Sequence, residues 1–174
     1  MSVFVGSVWD HGLECESEAA LVDAAIERLS LSKVAAFEDW KPDEDILALK
    51  EYGCICLGGG GRCGLLTTRA LWIRYWVRWQ YFLRDEHQWR QVIEESRRLL
   101  APFDPPKALL LKSDAMGDVD GGVGIDAGVE SILEFGRENW EGELRDTPRP
   151  PPDVAAKAKL GSPRVWVLLE NSKQ

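Results

Sequence analysis

The stretch Leu71-Trp-Ile-Arg-Tyr-Trp-Val-Arg-Trp-Gln-Tyr-Phe-Leu83 decides how this chain folds. Alternate positions Leu71, Ile73, Tyr75, Val77, Trp79, Tyr81 and Leu83 are all apolar. The set between them is Trp72, Arg74, Trp76, Arg78, Gln80 and Phe82. Period-2 alternation in β-branched and aromatic residues predicts one long strand over 71–83. Trp72, Trp76, Trp79 and Leu83 also have helical spacing, but a helix would spread the other apolar residues around its whole circumference.

Working outward from that strand, Tyr52 to Leu57 reads as a strand, Gly58 to Gly61 as a turn, and Arg62 to Thr68 as the hairpin partner. Val3 to Val8 reads as the first strand. Ser17 caps a helix whose apolar residues Leu21, Val22, Ala25, Ile26 and Leu29 share one arc. Residues 37–51 are irregular, although Pro42 followed by Asp43-Glu44-Asp45 suits a short helix running to Lys50.

On the C-terminal side, Asp85 and Gln88 resemble a capping box and open a helix to about Ala101. Trp89, Val92, Ile93, Leu99, Leu100 and Phe103 form its buried stripe, and Glu94 pairs with Arg98 on the solvent side. Pro102 and Pro105-Pro106 end it. Lys107 to Lys112 reads as a buried strand, 113–125 as a glycine- and aspartate-rich loop, and Asp126 to about Trp140 as a helix. Arg149 to Pro152 is a linker-like turn, and Arg164 to Leu169 a final strand. The order predicts a single α+β domain over 1–174, with a mainly antiparallel sheet of about five to six strands and about three helices on one face.

Charge adds a constraint on partners. The 174 residues carry a formal net charge of −8, which disfavours direct nucleic-acid binding and an anionic membrane. The charge is unevenly spread: −8 over 1–51, +5 over 52–112, −8 over 113–147 and +3 over 148–174. No run approaches the ~18 uninterrupted apolar residues of a membrane span. The N-terminus meets Asp10 without a basic segment, so it reads as a strand and not a signal peptide. Cytoplasmic residence with reduced thiols follows as the expectation.

Familiar chemical motifs fail in context. Gly59-x-Gly61-x-x-Gly64 leads into Leu65-Leu66-Thr67-Thr68, not into the helix N-terminus that a phosphate requires. Cys54, Cys56 and Cys63 could approach one another across the hairpin, but no spacing supplies a fourth zinc ligand. Aligning Gly121 as the central glycine of a calcium loop puts Met116 and Ala127 where carboxylates belong. His11 and His87 stand in no nucleophile motif, and Asp39-Trp40-Lys41 lacks an upstream carboxylate partner. No cofactor and no metal are expected.

Two constellations suit a protein partner. Asp126, Glu130, Glu134 and Glu138 recur every four residues as an acidic ridge, preceded by Asp114, Asp118 and Asp120. Such a ridge is either a solvated face or a surface that steers a basic partner. Trp72, Arg74, Trp76 and Arg78 share one strand face and are residue types enriched in binding hot spots. The competing account is cover by a helix, with the arginines stacking on tryptophan.

Several features in order resemble the immunity proteins of bacterial polymorphic-toxin systems, in particular the immunity protein 52 family. They are Phe4-Val5-Gly6-Ser7-Val8-Trp9, a helix ending near Phe37-Glu38-Asp39-Trp40, the glycine-rich hairpin after Tyr52-Gly53, and Leu100-Ala101-Pro102-Phe103-Asp104-Pro105 before the strand Ala108 to Leu111. The likeness spans roughly residues 4–112, by short motifs. The resemblance implies a small intracellular α+β protein that binds and neutralises a secreted toxin, often a nuclease. The leading expectation is a non-enzymatic inhibitor that occludes the active site of a cognate toxin. Two alternatives stay open: an enzyme or ligand-binding domain using the Gly58–Gly64 or Asp114–Asp126 loops, and a scaffold that self-associates through the Trp/Arg strand.

Overall fold

In a computed structural model, which describes residues 4–30, 47–49, 54–57, 62–140 and 165–170, the alternating stretch becomes the central strand of the sheet. The elements are β1 (Phe4–Asp10), α1 (Glu18–Leu29), β2 (Leu47–Leu49), β3 (Cys54–Leu57), β4 (Arg62–Leu66), β5 (Ala70–Arg78), α2 (Trp79–Arg84), α3 (Glu86–Leu100), a 3-10 turn (Ala101–Phe103), β6 (Lys107–Lys112), α4 (Ala115–Gly122), α5 (Val129–Asn139) and β7 (Val165–Glu170). The strand order is β2-β3-β4-β5-β1-β6-β7, and every neighbouring pair is antiparallel.

The α+β class and the antiparallel sheet agree with the sequence. The described residues hold seven strands and five helices, more than the expected five to six and three. Leu47–Leu49 is a strand where a short helix to Lys50 was expected; its edge position opposite Cys54–Cys56 supplies backbone partners that outweigh the local helical signal. Residues 42–46, the glycines 58–61 and the turn at 149–152 lie outside the described residues.

The long strand stops at Arg78, not Leu83. Along β5 the buried set Leu71, Ile73 and Tyr75 keeps period 2, with Val77 packed beside it. Trp79 and Phe82, both buried, are then three apart, and their rings stack at 5.6 Å. A strand would send those two rings to opposite faces; a helical turn puts both on one.

Helices cover both faces of the sheet, not one. On the first face, α1, α2 and α3 pack over Val5, Trp9, Leu71, Ile73, Tyr75, Ala108 and Leu110. On the second, α4 and α5 pack over Val8, Ala70, Trp72, Leu109 and Leu111. Leu109, Leu110 and Leu111 are each fully buried, as a strand covered on both sides requires.

Local chemistry sets the helix ends. Ser17 Oγ accepts from Ala20 N, and Asp85 accepts from His87 N and Gln88 N, so both expected caps form. Arg98 pairs with Glu95 rather than Glu94, and Arg90 pairs with Glu86. The expected 113–125 loop contains α4, because Ala115 and Val119, one helical turn apart, are both fully buried. Gly122 on α4 lies against the Phe135 ring of α5, so the two helices approach through a side-chain-free position, and Gly136 lies under the Trp140 ring at the end of its own helix.

A buried hydroxyl chain ties the first layer to the sheet. Ser96 Oγ on α3 donates to Tyr75 Oη at 2.7 Å, and Tyr75 Oη lies 3.1 Å from Ser7 Oγ on β1. Ser7 and Ser96 are fully buried.

Candidate functional site

The second face of the sheet brings the two sequence constellations together. Antiparallel register places Gly6 opposite Arg74 and Val8 opposite Trp72, so the Trp/Arg set of β5 faces the α4–α5 layer. Cover is uneven along the strand. Trp72 is buried, and its indole N–H donates to Ile125 O at 3.1 Å. Trp76, one pleat repeat further along than Arg74, is 52% exposed. Trp72 is therefore core and not a surface candidate, while Trp76 stays exposed as one.

Trp76 is held in place although exposed. Phe4 meets its ring edge-on at 5.1 Å, and the Arg74 guanidinium sits 4.9 Å from its centroid. Arg74 also lies 5.9 Å from the Phe4 ring. Arg74 Nε is buried without a hydrogen-bond partner among the described residues, so the guanidinium is placed by stacking. Arg78 is exposed beside them. Phe4 was not singled out in sequence, because only the β1–β5 pairing brings it to Trp76; its apolar place at the start of β1 was the available signal.

The N-terminal end of α4 begins beside this patch. Phe4 N donates to Ser113 Oγ at 3.0 Å, and Ser113 N donates to Phe4 O at 2.9 Å. From there α4 runs toward the Asp10 end of the sheet and α5 returns, since Trp140 Nε1 reaches Asp118 and Phe135 lies on Gly122. The C-terminal part of α5 thus heads back toward the Phe4–Trp76 end.

The acidic residues divide into fasteners and free surface. Asp114 is 3.5 Å from Lys112 Nζ. Asp118 accepts from the Trp140 indole at 3.3 Å, and Asp120 accepts from Ile125 N at 3.2 Å. Glu130 lies 2.7 Å from Lys107 Nζ, which also meets Glu170 at 3.0 Å. The hydrogen bond to Glu130, set against a desolvation cost and helped by Glu170, raises the Lys107 pKa above 10.5. Glu134 and Glu138 are exposed and make no ion pair among the described residues.

Asp126 stands before α5 rather than on it, because the helix begins at Val129 after Gly128. Its carboxylate accepts from Thr68 Oγ1 and, at 3.0 Å, from Arg69 N, so it clasps the β4–β5 turn. The Thr68 hydrogen bond, followed by others from Thr67 and the turn backbone, holds its pKa below 3.8 against desolvation. The α5 N-terminus is met instead by Asp10, which accepts from Val129 N at 3.0 Å. The four-residue ridge therefore shortens to Glu130, Glu134 and Glu138.

Other chemistry-bearing residues have structural work. His11 is buried; its Nδ1 accepts from Leu13 N at 2.9 Å, which leaves Nε2 to donate to Thr67 O at 3.1 Å. Both ring nitrogens are engaged, so His11 cannot also serve Cys15 as a base in this arrangement. Cys15 lies exposed in an open groove of about 440 Å³ lined by Leu13 to Glu18, Leu21 and Thr68. Among the described residues no three His, Cys, Asp or Glu side chains converge as a metal site. No described helix is long and apolar enough to cross a membrane. No family model, curated protein or solved structure matches the chain.

Proposed function

We propose that this chain is a non-enzymatic, cytoplasmic immunity protein that binds a cognate protein toxin, such as a nuclease, and occludes its active site. The observation that carries this reading is Trp76. Its ring is half exposed yet fixed between Phe4 and the Arg74 guanidinium, and it shares a sheet face with the acidic α4–α5 layer. A prepositioned Trp/Arg pair loses little freedom on binding, which favours affinity. Glu134 and Glu138, exposed and without an ion pair among the described residues, supply negative charge for the basic residues of a toxin.

The test is a pull-down and a toxicity assay with the toxin encoded beside this gene. The expected result is a complex and loss of toxin activity. Trp76→Ala should weaken binding by about thirtyfold or more, the scale of a hot-spot residue. Glu134→Lys with Glu138→Lys should weaken it further at low salt than at high salt. Absence of any complex would end the proposal. Exposed Trp76 also supports a second reading, self-association through the same patch; sedimentation of the free protein with and without Trp76→Ala separates the two.

A further inference from the structure

The β3–β4 ladder sets Cys56 directly opposite Cys63. Directly opposed residues of an antiparallel pair have Cα atoms about 4.5 or 5.5 Å apart, depending on the type of pair. Both values fall within the range of about 4.4–6.8 Å that a disulfide spans. Cys54 is opposite Leu65, which makes it a diagonal neighbour of Cys63 at about 7–8 Å, outside that range. Register thus selects one pair from three clustered cysteines. Cys63 is a free, partly exposed thiol, open to a small reagent.

We propose that Cys56 and Cys63 form a reversible disulfide across the hairpin, made by exchange with a small-molecule disulfide such as oxidised glutathione. The Cys63 thiolate attacks one sulfur of the oxidant. The oxidant's S–S bond breaks, a mixed disulfide forms on Cys63, and the first leaving thiolate takes up a proton. The Cys56 thiolate then attacks the Cys63 sulfur and expels the second thiol. Two protein thiols are oxidised and one external disulfide is reduced to two thiols. The site is independent of toxin binding. On the next strand Cys63 is opposite Arg74, so the linkage would staple the sheet beside the Trp76 patch.

The full-length protein, dilute and folded, is incubated with oxidised glutathione, alkylated and digested with trypsin. Cleavage after Lys50, Arg62 and Arg69 puts Cys54 and Cys56 on one peptide and Cys63 on another. The expected product is these two peptides joined by one disulfide, with the intact chain lighter by two hydrogen atoms. A Cys15→Ser background removes the exposed third thiol. The linkage should persist in Cys54→Ser and vanish in Cys56→Ser, where Cys63 instead keeps its glutathione. If Cys56→Ser does not fold, fragmentation of the wild-type linked peptides assigns the bonded cysteine. A link to Cys54, glutathione retained on wild-type Cys63, or thiols that stay reduced would each overturn the proposal.

Discussion

Tyr75→Phe removes one oxygen from the interior, and its cost can be worked from the geometry. Tyr75 Oη is shared by Ser96 Oγ at 2.7 Å and Ser7 Oγ at 3.1 Å, and both serines are fully buried. A buried polar group deprived of its partner costs about 1–3 kcal/mol. Ser96 is helical and can turn its hydroxyl to the carbonyl four residues back, so its share lies at the lower end. Ser7 sits on β1 between β5 and β6, where the surrounding carbonyls serve the ladders, so its share is larger. Together these give about 2–3 kcal/mol for Tyr75→Phe.

Ser96→Ala alone leaves the Tyr75–Ser7 contact and should cost about 1 kcal/mol. Combining it with Tyr75→Phe removes donor and acceptor together, so the double variant should be about 1 kcal/mol more stable than the sum of the singles predicts. Adding Ser7→Ala leaves no orphaned hydroxyl, and the triple variant should recover at least half of the Tyr75→Phe loss. Urea denaturation at constant m is the assay. Additivity of the single effects to within about 0.3 kcal/mol, or a triple variant that is the least stable of the set, would refute the reasoning.

Other outcomes follow from the second layer. Gly136→Ala should destabilise by about 1 kcal/mol despite a helix-propensity gain of similar size, because overpacking costs more; a Cβ there would lie 2.6 Å from the Trp140 ring. In a Trp140→Ala background the same change should stabilise, and thermal melts decide both. The Asp126 pKa is lowered by its Thr68 hydrogen bond, so its contribution is present above 3.8 and lost as pH falls through the folded value. The stability gap between wild type and Asp126→Asn should therefore close on acidification, read from urea midpoints at stepped pH. The Lys107 pKa is raised by Glu130 and Glu170, so its contribution is full below 10.5 and is lost as pH rises through the folded value. Lys107→Gln should be less stable at neutral pH, with the gap narrowing in strong alkali.

The sequence was most legible where pattern and tertiary demand coincide. Alternation from Leu71 to Val77 located the central strand because a strand buried on its first face repeats every two residues. The pattern misled beyond Arg78, since Trp79, Tyr81 and Leu83 continue the alternation while the buried pair Trp79 and Phe82 obeys a helical spacing that only packing reveals. Cover on the second face was partly hidden because α4 reads as Gly- and Asp-rich; among the described residues its buried anchors, Ala115 and Val119, are too few to stand out. Of the binding candidates, Trp72 and Trp76 are indistinguishable by period, yet Ile125 lies over one and the other is half exposed. What separates them is where α4 and α5 sit, a long-range fact.

The acidity of 113–147 acquires a different meaning once its partners are located. Asp120 takes a backbone N–H after α4, Asp118 holds the Trp140 indole, and Asp126 clasps a turn on the neighbouring hairpin. Glu130 anchors α5 to β6 through Lys107. Asp126 and Glu130 fasten the α4–α5 layer to the sheet, Asp118 and Asp120 hold the layer together, and neutralising any of them should be read first in stability. Glu134 and Glu138 make no such attachment among the described residues, so reversing their charge perturbs the surface and leaves the fasteners intact. A binding defect from those two with an unchanged melting curve is thus attributable to the interface. The same defect from Asp118 or Asp126 would carry no such inference, because the layer that frames Trp76 would have been loosened as well.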